Sequence, residues 1–159
     1  TRFLRAQKVI FTPHIYSYEE KGGTSVSSRE LNVVEHAIIK TLVMEDEVKN
    51  PLIILMHGDC QVSTKALSRQ INCKKIAPCS PENAHRHTGY FVGGISPFGA
   101  KSLFGAKKTL PIYIEKTIID LPEIYINGGK HGFLVSLNPQ ELLRVFSPAP
   151  ILVNVANAS

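Results

Sequence analysis

No run of apolar residues in this 159-residue sequence approaches the roughly 18 that a membrane-spanning helix needs. The longest useful stretch, Leu52 to Met56, suits a buried strand, so a spanning helix is excluded and no membrane partner is expected. Cysteine is scarce: Cys60, Cys73 and Cys79 are odd in number and form no CxxC pair. A disulfide framework is therefore not expected, and with no secretory leader read at Thr1 the expected location is cytoplasmic. Cys73, Cys79, His85 and His87 lack the close Cys pair and the spaced His pair of common zinc sites, so neither metal nor cofactor is expected. Charged residues make up 19% of the chain against 43% hydrophobic, which excludes a disordered polyelectrolyte.

Catalytic signatures are missing too. There is no GxSxG elbow, no HExxH and no Ser-His-Asp order. GxGxxG is absent, and residues 94–102 miss the phosphate-loop pattern because Ala100 separates Gly99 from Lys101. Self-contained nucleophilic and nucleotide-hydrolysing machinery is thereby disfavoured.

What is present is a charge asymmetry. The net charge is +5, yet residues 61–116 alone hold nine positive and two negative side chains, 9 − 2 = +7, leaving −2 elsewhere. A basic middle on a weakly acidic frame fits a polyanion such as nucleic acid. Scattered solubilising lysines would give the same count.

The length suits a single domain, 1–159, and no repeat or linker divides it. A short helix is expected from Leu4, then a strand over 10–18 interrupted by Pro13. Ser27 and Glu30 have capping-box spacing for a helix. Residues 37–45 and 52–57 read as a β-hairpin across an Asn50-Pro51 turn. Ser63 and Ser80-Pro81 are helix starts around a short strand at 75–78. Strands follow at 110–119, 123–127 and 133–137, then a helix opened by Asn138-Pro139 and a last strand at 151–155. The fold class is α+β, with a mixed, largely antiparallel sheet flanked by short helices.

Three local features bear on chemistry. Residues 89–99 carry four glycines in eleven positions, which lets main-chain amides approach a carbonyl oxygen or phosphate; a plain connection over a sheet edge would look alike. Lys40 interrupts the apolar strand Ile38-Ile39-Lys40-Thr41-Leu42-Val43 and must face water or a ligand. Tyr16 and Tyr18 alternate with Ser17 and would share a strand face. A second glycine pair, Gly128-Gly129, fits a hairpin turn.

The succession Ile39-Lys40-Thr41-Leu42, Gly89-Tyr90-Phe91-Val92-Gly93-Gly94-Ile95-Ser96-Pro97-Phe98-Gly99 and Gly128-Gly129-Lys130-His131-Gly132 resembles the YbaK/EbsC family of aminoacyl-tRNA editing domains. These are related to the insertion domain of bacterial prolyl-tRNA synthetase. The resemblance implies a trans-editing hydrolase acting on the acceptor end of mischarged tRNA, most typically cysteine on the proline tRNA, with prolyl-tRNA synthetase as a candidate partner. It implies that the substrate's own thiol attacks the ester. Alternatives are a deacylase for another small amino acid such as alanine, attacking with water, or a non-catalytic tRNA- or synthetase-binding module. By the same resemblance, Lys40 would hold the terminal adenosine or its phosphate, and the amides around Gly94 would form an oxyanion site. Tyr16, Gly93, Ile95, Ser96, Pro97, Phe98, Gly99, Asn127 and Gly128 would contact substrate. Asn127 stands where many members have Ser, and His131 where Arg is common.

Overall fold

The expected hairpin lies at the centre of the molecule. The structure is a computed structural model that describes residues 2–90, 94–98 and 110–156. Its helices are α1 (Arg2–Ala6), α2 (Gly23–Leu31), α3 (Thr64–Gln70), α4 (Pro81–Thr88) and α5 (Pro139–Phe146). The first five strands are β1 (Thr12–Ile15), β2 (Ile38–Asp46), β3 (Pro51–His57), β4 (Cys60–Val62) and β5 (Ile76–Pro78). They are followed by β6 (Ile112–Glu115), β7 (Ile124–Asn127), β8 (Phe133–Leu137), β9 (Ala149–Ile151) and β10 (Asn154–Ala156). The main sheet runs β1-β8-β7-β2-β3-β6-β9, with β5 also on β2, while β4 and β10 form a separate pair. Antiparallel pairings join β1–β8, β7–β8, β2–β3 and β2–β5; parallel ones join β2–β7, β3–β6 and β6–β9. The architecture is thus the mixed α+β sheet that the sequence pattern implies.

The run Leu52 to Met56 is apolar at every position because β3 is covered on both faces. Ile53 and Leu55 pack with Ile39, Val43, Ile114 and Leu142 on one side, and Ile54 and Met56 with Met44, Leu67 and Ile76 on the other. Ile53, Ile54, Leu55 and Met56 are each 0% exposed. Burial on that scale contributes about 1.5–3 kcal/mol per side chain.

Cap chemistry places three helices where expected. The Ser63, Ser80 and Asn138 side chains accept from the amides of Ala66, Asn83 and Gln140. The Ser27 reading is corrected: α2 begins at Gly23, and Ser27 sits inside it with its hydroxyl donating to Thr24 O at 3.1 Å. The strand expected over 110–119 stops at Glu115, and the one over 151–155 divides between β9 and β10. One carboxylate explains both breaks. Glu115 Oε2 accepts from Thr117 N at 2.9 Å, turning Lys116–Asp120 into a 3-10 helix, and its Oε1 accepts from Val153 and Asn154 amides at 2.8 and 3.0 Å. β1 ends before Tyr16, so Tyr16 and Tyr18 are loop residues, not a shared strand face.

Candidate active site

β2 creates the site by running out of partners. One edge is paired with β3 from Ile39 to Glu45. The other is paired with β7 only at Ile38 and Ile39, and with β5 only from Met44 to Asp46. Between those contacts the two strands diverge, leaving a split in the sheet beside residues 40–43. Strand alternation sends the main chain of Ile39, Thr41 and Val43 to this edge; Val43 O is used there by the Cys79 amide at 3.1 Å.

A cavity of about 450 Å³ occupies the split. Tyr16, Thr24, Lys40, Thr41, Cys79, Ile95 and Asn127 line it with an apolar floor from β2, Ala84 and Leu134. Lys40, from the sequence pattern, is half-buried, and burial lowers the pKa of its ammonium; Cys60, Glu35 and Asp59 partly offset this. Thr24 donates to Glu35 Oε2 at 2.7 Å, fixing that carboxylate near the cavity wall. The Tyr16 phenol is raised by burial and by Tyr18, with hydrogen bonds from Ser27 and Gly132 opposing. Thr41 Oγ1 is buried with no hydrogen-bond partner among the described residues.

The two glycine motifs meet beside this cavity. A Cβ on Gly94 would lie 3.2 Å from the His131 amide nitrogen, and one on Gly129 would lie 3.1 Å from the Tyr90 ring. Gly132, at φ +75°, passes so close to Tyr16 that a Cβ would sit 2.7 Å from its carbonyl oxygen. The Tyr16 amide returns a bond to Gly132 O at 2.9 Å. Asn127 builds the turn itself: its Oδ1 accepts from Gly129 N at 2.6 Å and its Nδ2 donates to Lys130 O at 3.2 Å. His131 stacks on Tyr18 with ring centroids 4.0 Å apart.

The structure therefore brings Tyr16, Lys40, Ile95 and Asn127 to one cavity, with Gly94 and Gly128 in the adjoining turns. Ser96, Pro97 and Phe98 are placed differently. They are buried behind the wall: Ser96 Oγ accepts from Phe98 N at 3.2 Å, and Phe98 stacks with Phe3 and Phe146. Gly93 and Gly99 lie outside the described residues. Thr24, Thr41 and Cys79 were not singled out for the cavity from the sequence, because nothing local marks the point where a sheet splits.

Among its described residues the cavity holds no activated nucleophile. Cys79 is its one described thiol, and burial and Glu45 push that thiol up to about 12, so it stays protonated and weakly nucleophilic at neutral pH. Lys40 supplies a cation.

This fold, with a largely apolar cavity that carries one lysine beside glycine-rich turns, is that of an editing-type domain. Residues 19–145 match the aminoacyl-tRNA editing domain, and the chain belongs to that family of aminoacyl-tRNA hydrolases. It is 26% identical over 143 residues to a candidate Cys-tRNA(Pro)/Cys-tRNA(Cys) deacylase, EbsC, of Enterococcus faecalis, covering 89% of this chain and 84% of that one. A proline–tRNA ligase of Thermodesulfovibrio yellowstonii is 30% identical over 115 residues, 72% of this chain but 18% of the ligase. Among solved structures, a candidate trans-editing enzyme for prolyl-tRNA synthetase superposes with TM-score 0.79 at 18% identity, over 98% of this chain and 94% of that one. A hypothetical protein superposes with TM-score 0.83 at 18% identity, over 97% of both chains. No helix among the described residues is long and apolar enough to cross a membrane.

Proposed function

We propose that the protein is a cytoplasmic trans-editing deacylase that removes cysteine from proline tRNA, with the substrate's own thiol as nucleophile. The observation that carries this reading is a cavity that holds a lysine beside the Gly94 turn but no activated nucleophile among its described residues. In the proposed step the cysteinyl sulfur bonds to its own ester carbonyl carbon, and the bond from that carbon to the ribose oxygen breaks. The thiol proton passes to the departing ribose oxygen. The resulting four-membered thiolactone is opened by water to free cysteine.

Lys40 holds the terminal adenosine or its phosphate, and amides near Gly94 stabilise the developing oxyanion. Each well-placed donor of that kind contributes about 3 kcal/mol. Lys65, Arg69, Lys74, Lys75 and Arg86 are exposed on the basic segment and offer phosphate contacts to the acceptor arm. The similarity to proline–tRNA ligases supports prolyl-tRNA synthetase as a partner in delivery.

Proline tRNA charged in turn with cysteine, alanine and serine tests the reading. Release of cysteine alone, abolished when its thiol is blocked, is expected. Release of alanine would instead establish water attack on a small amino acid, and binding without any release would establish a non-catalytic tRNA module.

A further inference from the structure

A second group of side chains lies at the far end of the split, outside the tRNA reading. Glu45 at the end of β2, Cys79 after β5 and His87 in α4 bring a carboxylate oxygen, a sulfur and a ring nitrogen within 4.8 Å of one another. From these atoms we propose that the protein binds one divalent transition-metal ion, with Zn²⁺ as the best match.

Several observations converge on a ligand at this point. Glu45 is only 7% exposed, yet among the described residues its Oε2 has no hydrogen-bond partner, and neither has the buried Nε2 of His87. A buried carboxylate oxygen and a buried imidazole nitrogen left unsatisfied side by side are costly unless something binds them. Lys49 Nζ sits 3.5 Å from the other carboxylate oxygen, Oε1, so Oε2 remains available. The backbone fixes all three residues. Cys79 N–H is held by Val43 O at 3.1 Å, two residues before Glu45 on the same strand. His87 follows Ala84 by three positions in α4, so both lie on the helix face turned towards the cavity.

The donor set also selects the metal. A thiolate, an imidazole and a carboxylate suit Zn²⁺, whereas Mg²⁺ and Ca²⁺ favour all-oxygen shells. Carboxylate and thiolate together neutralise the ion, the thiol proton leaving to solvent on binding. Zinc bonds of about 2.0–2.3 Å hold tetrahedral ligand atoms roughly 3.3–3.8 Å apart, so side-chain rotations closing about 1 Å complete the geometry. Three protein ligands leave one position open, and because Cys79 lines the cavity that position adjoins the substrate space. The other comparable cluster among the described residues, His36, Asp59 and Cys60, is already self-satisfied: His36 Nδ1 lies 2.8 Å from Asp59, which also accepts from the Cys60 thiol at 3.5 Å.

The test uses untagged, chelator-treated protein titrated with Co²⁺ and then Zn²⁺. One Co²⁺ per chain is expected, with a thiolate-to-cobalt charge-transfer band in the near ultraviolet that Zn²⁺ abolishes. Cys79→Ser should remove the band, and both it and His87→Ala should weaken binding by more than about 100-fold, beyond the effect of losing an outer-shell partner. Cys73→Ser should leave the band intact. Circular dichroism verifies folding of each variant; should one fail to fold, the other carries the comparison. Sub-stoichiometric uptake, or a band that survives Cys79→Ser, overturns the proposal.

Discussion

Gly94 packs tightly against His131: a Cβ would approach the His131 ring Cδ2, the His131 amide nitrogen and the Lys130 carbonyl carbon to 3.2 Å each, so these neighbours would have to give by a few tenths of an ångström. Two glycine-containing segments nearly forty residues apart in sequence are thus one structural unit. Two of the three contacts are to backbone, which relaxes less readily than a flexible side chain. Gly94→Ala is therefore expected to destabilise the fold by about 1–3 kcal/mol, as overpacking does. It should also lower deacylation more than that loss of folded protein explains, because the amide beside Gly94 is displaced. Urea unfolding and initial rates on the same preparation separate the two effects.

Lys40 carries the opposite relation between stability and function. Burial lowers its pKa, so the folded state holds that proton less tightly than the unfolded chain does. Between the lowered pKa and the ordinary lysine value near 10.4, the unfolded state binds more protons and stability rises with pH. Below that window the charged ammonium is a net cost to folding. Lys40→Met should then raise the melting temperature at neutral pH while reducing turnover of Cys-tRNA(Pro) by about 100-fold or more. A variant that melts lower and turns over normally would remove Lys40 from the site.

His57 makes the fold sensitive to acid. Fully buried, it places Nδ1 2.7 Å from His36 O and Nε2 2.7 Å from Thr117 Oγ1, with its ring stacked on His36. Burial lowers its pKa, so the neutral ring is the folded form; Nδ1 faces the His36 carbonyl, and Nε2 faces a Thr117 hydroxyl that itself donates to Glu115 Oε2 at 3.0 Å. Below about pH 6.5 the unfolded chain takes up this proton and the folded one resists, so stability is lost as pH falls through the folded pKa. Denaturant midpoints measured from pH 7 to pH 5 should decline, and His57→Gln should flatten part of the slope. His87, also lowered by burial, contributes with the same sign.

How much of this was legible in sequence depends on the range of the interaction. The β2–β3 hairpin and the caps at Ser63, Ser80 and Asn138 were readable because their signals lie within a few residues. The breaks at 115 and 152 were not, since Glu115 acts on amides 38 and 39 residues away. Lys40 stood out as a charge in an apolar strand. Thr41, beside it, gave no signal, because threonine is ordinary in strands and only the divergence of β7 from β5 leaves its hydroxyl without a partner among the described residues.

That hydroxyl supports the sharpest test of the cavity. A buried hydroxyl without a partner costs about 1–3 kcal/mol, and valine has nearly the same shape. If Thr41 serves only the fold, nothing offsets the cost. If it serves the substrate, the cost is recovered when a ligand group reaches it. Thr41→Val is thus expected to stabilise the free protein by roughly 1 kcal/mol. Loss of one hydrogen bond in the bound state should lower kcat/KM about 10-fold. Thermal melts with and without a non-hydrolysable cysteinyl-adenosine analogue give a further reading. The wild type should gain more from the analogue than the variant does, closing the stability difference between them. A variant that is less stable when free, yet equally active, would show that Thr41 has a partner of its own and plays no part in binding substrate.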